Sequence, residues 1–106
     1  MTNTKEEADK VLKKYPKSIP ILIDTKYDTT PKLKKNKYII PNSFTFGHFF
    51  EIIRKQLDIK KETALFFFIN KNILLSAGML ISDIYNKYKS ENGFLQVYYS
   101  LENVFG

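Results

Sequence analysis

The chain has 106 residues, seventeen basic against eleven acidic, and no cysteine, giving a formal charge of +6. The missing cysteines exclude disulfides, thiolate metal sites and a cysteine nucleophile, and they fit a cytosolic protein. A chain of this size forms one domain burying roughly 65% of its unfolded surface, and nine Phe with seven Tyr supply bulky core material. The positive balance invites acidic peptides, anionic membrane or nucleic acid. Arg54 is the sole arginine, however, and bidentate reading of bases or phosphates strongly favours arginine. The lysines therefore read as a diffuse field, and nucleic acid is a disfavoured partner.

The first residues carry no apolar core after their charges, so no secretory signal is expected. The tightest apolar run, residues 64–69, falls far short of the ~20 residues a membrane span needs. Thr4-Lys5-Glu6-Glu7 is a capping-box pattern that predicts a helix over 5–14, with Ala8, Val11 and Leu12 on one face and Pro16 beyond its end. Residues 19–23 read as a strand, 24–34 as a polar turn region, and Lys35-Asn36-Lys37-Tyr38-Ile39-Ile40-Pro41 as the second strand of a hairpin. Lysines at one end and a proline at the other mark this second strand as a sheet edge. Alternation sends Lys37, Ile39 and Pro41 to one face and Tyr38 and Ile40 to the other. Such an edge can accept a guest peptide as an additional strand.

Thr45 is placed to cap a second helix to about residue 57, with Phe46, Phe49, Phe50, Ile53 and Leu57 at helical spacing. Residues 63–69 have the length of a buried strand, with Phe66 and Phe68 on one face and Phe67 on the other. A turn at 70–72, a short strand at 73–75, a helix over 79–88 and a last strand over 93–100 complete the pattern. In that third helix Leu80, Ile81, Ile84 and Tyr85 are expected inward. After the first helix this is the β-grasp order of ubiquitin-like proteins, so the expected fold class is α+β, a ubiquitin-like β-grasp with a short N-terminal helical extension. One domain spans 1–106, with a helix within 1–14, a β-grasp core at 15–100 and a tail at 101–106. His48 stands without carboxylate or cysteine companions and receives no role. No nucleophile–base pair or metal cluster can be assembled, so a binding module without cofactor is expected rather than an enzyme.

Seven short motifs occur in order: Lys14-Tyr15-Pro16, Ile19-Pro20-Ile21, Lys37-Tyr38-Ile39-Ile40-Pro41, Ile53-Arg54-Lys55, Leu65-Phe66-Phe67-Phe68-Ile69-Asn70, Gly93-Phe94-Leu95 and Glu102-Asn103-Val104-Phe105-Gly106. Together they resemble the autophagy ubiquitin-like modifiers, the family of GABARAP and the microtubule-associated protein light chains. The resemblance implies that a cysteine protease exposes the terminal glycine, here Gly106, and that activating and conjugating enzymes join it to phosphatidylethanolamine. It implies a cytoplasmic protein that sits on autophagosomal membrane when lipidated. It also implies that aromatic-x-x-aliphatic motifs dock on the second strand. Carried over by position, Glu7, Val11, Pro20, Leu22, Lys37, Ile39 and Phe94 line an aromatic pocket. Tyr38, Ile40, Pro41, Phe44, Phe49, Ile52 and Ile53 line an aliphatic pocket, and Arg54 meets polar or acidic groups of the guest. The stretch before Tyr15-Pro16 leaves room for one helix where the family usually has two, and Phe44 is bulkier than the usual leucine. The alternative reading is a non-conjugated ubiquitin-like adaptor that keeps only the peptide groove.

Overall fold

The computed structural model describes residues 5–27, 30–70 and 73–101. Within them the order is α1 (Lys5–Lys14), β1 (Ser18–Thr25), β2 (Lys37–Pro41), α2 (Phe46–Leu57), β3 (Phe66–Ile69), β4 (Ile73–Leu75), α3 (Ile81–Tyr88) and β5 (Leu95–Ser100). The strands form one mixed sheet in the order β2-β1-β5-β3-β4. β1 and β2 are the expected hairpin, paired from Ser18↔Pro41 to Leu22↔Lys37. β1 then runs parallel to β5 from Ile21↔Leu95 to Thr25↔Tyr99, the long-range closure of a β-grasp sheet.

Alternation assigns each face of this sheet. Ile19, Ile21, Ile23, Tyr38, Ile40, Phe67, Leu95, Val97 and Tyr99 share the inner core with Phe46, Phe49 and Ile53 of α2 and Ile81 and Tyr85 of α3. Phe49 and Phe50 meet Phe67 edge-on at 5.5 and 4.5 Å between ring centroids. On the outer face a smaller cluster joins Ala8 of α1 to Leu22 and Phe94. β1 is thus buried on both faces along residues 19–23, which explains its unbroken apolar sequence.

Both strand prolines sit where no ladder bond is lost. The Ile23 N–H donates to Asn36 O at 2.9 Å, so odd-numbered residues of β1 face β2 and Pro20 faces the β5 side. The β5 ladder begins only at Ile21↔Leu95, one residue beyond Pro20.

Some expectations are corrected. β3 starts at Phe66 rather than at residue 63, because the preceding loop is tied down by Arg54. Phe68 is buried on the outer face with Lys26 Nζ 3.9 Å from its ring centroid, whereas Phe66 is only half-buried. α3 begins at Ile81, and Leu80, expected inward, is its exposed N-cap residue. Leu80 forms an isolated bridge to Thr45, which holds the segment before α3 extended and turns the side chain outward. β5 begins at Leu95, not at residue 93, because Gly93 takes a turn conformation with φ +85°. The Thr4 cap and the tail glycine Gly106 lie outside the described residues.

Candidate functional site

β2 has a neighbour on one side only. The bond from Ile23 to Asn36 sets the phase: even-numbered β2 residues turn their N–H and C=O groups to β1. Lys37 and Ile39 therefore direct theirs to the open flank, where no strand of the described residues lies. Pro41 also faces that flank, so its absent N–H costs no internal bond, and its carbonyl accepts the Phe44 N–H at 3.0 Å. The open rail is thus two residues long in hydrogen-bonding terms, with a built-in stop at the third.

On the outer side of the rail, α1 lies over β1 beside β2, with Ala8 packed on Leu22 and Phe94. Pro20, Leu22 and Phe94 are all buried there. Ile39 is 42% exposed on the same face, and Val11, one turn along α1 from Ala8, is half-buried. Lys37 Nζ bonds Glu7 Oε2, joining β2 to α1. Of the seven residues assigned to the aromatic pocket, Glu7 and Lys37 are joined as an ion pair, and Leu22 and Phe94 pack together beneath Ala8. Phe94 offers a guest no surface, being wholly enclosed with Ala8 and Leu22.

The inner side differs. Tyr38, Ile40, Phe49 and Ile53 are core residues, with Tyr38 and Phe49 in edge contact at 5.6 Å between ring centroids. Phe44 and Ile52 retain surface on this side and are what a guest side chain could touch directly, whereas Pro41, opposite Ser18 in the register, shares the exposed face of Ile39. Phe44 is held by two devices that sequence reasoning missed. Its carbonyl accepts the Ile81 N–H at 3.1 Å, and its ring stacks at a tilt on His48 with centroids 4.7 Å apart. His48 in turn accepts the Thr45 N–H on Nδ1 at 3.1 Å, filling the place that Glu or Gln takes in a capping box. The histidine at that position disguised the signal.

The phenol of Tyr38 is buried with no hydrogen-bond partner among the described residues, and burial pushes its pKa above the usual tyrosine value. Arg54 sends Nη1 to the carbonyls of Thr63 at 2.7 Å and Lys60 at 3.4 Å, so it braces the loop after α2. Any contact it makes with a guest competes with that brace. A hollow of about 610 Å³ lies on the outer face between Tyr27, Ser90 and Tyr98, apart from β2. Strand addition needs an edge and shallow anchor points more than an enclosed cavity. Among the described residues no group of His, Cys, Asp or Glu is placed to hold a metal, and no helix is long and apolar enough to cross a membrane.

Comparison with known proteins places this architecture. The family described as autophagy protein Atg8, ubiquitin-like, matches residues 3–106. Autophagy-related protein 8 of Mycosarcoma maydis is 41% identical over 104 residues, covering 96% of this chain and 86% of that protein. The crystal structure of Trypanosoma brucei ATG8 superposes with TM-score 0.87 at 35% identity, over 96% of this chain and 88% of that one. Plasmodium falciparum Atg8, solved in complex with a peptide of Plasmodium falciparum Atg3, gives TM-score 0.81 at 29% identity over 93% and 88% of the two chains. An open-edged β-grasp sheet, a helix on its outer face and a family match along nearly the whole sequence lead to one conclusion: the chain belongs to the Atg8 family of autophagy ubiquitin-like proteins.

Proposed function

We propose that this protein is conjugated through Gly106 to phosphatidylethanolamine on autophagosomal membrane, and that it gathers proteins bearing aromatic-x-x-aliphatic segments by strand addition to β2. The observation that carries the docking half is the open flank of Lys37 and Ile39, with the exposed Ile39 on the outer side and the Phe44 and Ile52 surface on the inner side. A guest strand gains backbone hydrogen bonds worth about 0.5–1.5 kcal/mol each. Two anchors add about 1.5–3 kcal/mol apiece when fully buried. Association costs subtract from both, which leaves micromolar affinity as the expected range. Lys34, Lys35 and Lys37 favour guests with acidic flanks and make encounter salt-sensitive.

The conjugation half rests on the family match through residue 106 and on the Phe105-Gly106 ending. A glycine offers no side chain to obstruct a narrow enzyme cleft. The partners are then a processing cysteine protease, an activating enzyme and a conjugating enzyme. The Atg3 peptide bound by the Plasmodium falciparum relative supports the last of these. A two-chain phospholipid holds its cargo stably, where a single acyl chain would not. The protein is cytoplasmic before conjugation and membrane-bound after it, and it acts as a modifier and not as an enzyme.

Incubation with the activating and conjugating enzymes and phosphatidylethanolamine vesicles tests this reading. The expected product is a lipid adduct mapped to Gly106 and absent from Gly106→Ala. An unmodified Gly106 under conditions that conjugate a relative would remove the conjugation half and leave a peptide-binding adaptor.

A further inference from the structure

We propose that the lysines around the C-terminal end of β5 form a contact surface for anionic phospholipid headgroups, with Lys32 and Lys34 at its centre. The inference rests on the conjugation reading for its location and on the sheet geometry for its chemistry. β5 ends at Ser100, and the Lys26 N–H donates to Tyr99 O at 2.8 Å, so the chain leaves the sheet beside Lys26. The Tyr99 hydroxyl donates to Pro31 O, which pins the loop after β1 to the same end of the sheet. There Lys32, Lys34, Asn36, Thr25 and Tyr99 border a hollow of about 250 Å³. Asp24 is the acid on that hollow, and its Oδ1 accepts the Thr25 N–H at 2.7 Å. Lys32 and Lys34 are exposed.

Chain reach makes this end face the bilayer. Gly106 is the sixth residue after Ser100, and six fully extended residues span at most about 21 Å. Once Gly106 is attached to a headgroup, the end of β5 cannot stand further from the surface than that. A shorter path brings the lysines within the ~8 Å over which surface charge is felt at physiological salt. Each lysine near an anionic surface then contributes about fivefold in affinity. The surface would orient the conjugated protein with its lysine-rich end down and leave the β2 flank accessible from the side.

The test uses the unconjugated full-length chain, without conjugating enzymes, in co-sedimentation with phosphatidylcholine vesicles that either lack or contain about one-third phosphatidylserine, at about 0.1 M and about 0.5 M salt. Binding is expected only to the anionic vesicles and only at the lower salt. The double change Lys32→Glu with Lys34→Glu is expected to weaken it at least about tenfold. The double change Lys13→Glu with Lys14→Glu alters the charge equally at the far end of α1 and is expected to have little effect. Arginine at positions 32 and 34 should retain binding, which separates lost charge from lost fold. Equal losses from both glutamate pairs, or no anionic preference, would overturn the proposal. So would a single-stranded RNA oligonucleotide that binds more tightly than the vesicles and loses affinity with the Lys32 and Lys34 pair. A missing Gly106 adduct with intact vesicle binding would remove conjugation alone, whereas a normal adduct without vesicle binding would remove this surface alone.

Discussion

Lys37 on the edge strand reaches over the outer face to Glu7 on α1, so one ion pair ties the rail to the helix beside it. Both side chains are more than a third exposed, at 37% and 40%, which limits the pair to about 0–1 kcal/mol of stability. Under the proposed docking at β2, its larger effect is on guests. Glu7→Gln leaves the unfolding midpoint nearly unchanged and releases Lys37 from its carboxylate. Calorimetry with an acidic-flanked peptide is expected to show several-fold tighter binding, with the gain vanishing at high salt. Unchanged affinity at low salt would contradict this role.

Surface and core members of the groove separate by mutation. Ile39 is 42% exposed and Phe49 fully buried. Phe49→Ala should cost about 3–5 kcal/mol of stability. Ile39→Ala should cost under about 1 kcal/mol of stability yet weaken peptide binding about tenfold. Chemical denaturation paired with calorimetry checks both.

Two buried phenols give opposite outcomes. Tyr85 donates its hydroxyl to Gly93 O at 2.7 Å, whereas Tyr38 has no such partner among the described residues. Tyr85→Phe is expected to lose about 1 kcal/mol, and Tyr38→Phe to be neutral or slightly stabilising. Equal losses would show that the Tyr38 hydroxyl is satisfied in solution.

Alkaline pH follows from the same groups. Burial raises the pKa of Tyr38, of Tyr85 with help from the Asp9 charge, and of Tyr99 against a hydrogen bond to the Leu33 backbone that lowers it. The unfolded chain releases these protons near pH ~10 while the folded chain still holds them. Their contribution is therefore complete below about pH 10 and is lost as the pH rises through the higher folded-state values. Denaturation midpoints should be flat from about pH 7 to 9 and fall towards 11, with a shallower fall in Tyr38→Phe. A midpoint that holds above pH 10 would contradict the burial.

Gly93 fixes how closely α1 approaches the sheet. Its φ is +85°, and a Cβ there would lie 2.8 Å from the Ala8 Cβ. Gly93→Ala is expected to cost about 1–3 kcal/mol. Under the proposed docking it should also weaken aromatic anchoring, because α1 is displaced from its place over Leu22 and Phe94 beside β2. A variant of wild-type stability and affinity would show that α1 is not held by this contact.

The edge strand was legible because its flanks are chemically explicit: lysines before it and Pro41 after it mark an unpaired strand in any sheet. β1 was legible from its apolar run and α2 from its helical spacing. What stayed hidden depends on tertiary contact. Leu80 matches the helical period of α3, but its bridge to Thr45 removes it from the helix. His48 lacks the Glu or Gln that signals a reciprocal cap, although its Nδ1 does the same work. The Ala8–Gly93 contact joins residues 85 positions apart in sequence, and nothing local announces it. Positional carry-over named residues on β2 and on the elements beside it but could not sort those with surface from those beneath it.

Amide hydrogen exchange of the free and peptide-bound protein tests the docking rail most directly. With an aromatic-x-x-aliphatic peptide bound, the Lys37 and Ile39 amides, which face the open flank, are expected to slow at least about tenfold. The Tyr38 and Ile40 amides, already turned to β1, should change little. Slowing confined to the other sheet edge at Ile73–Leu75, with Lys37 and Ile39 unaffected, would contradict the account.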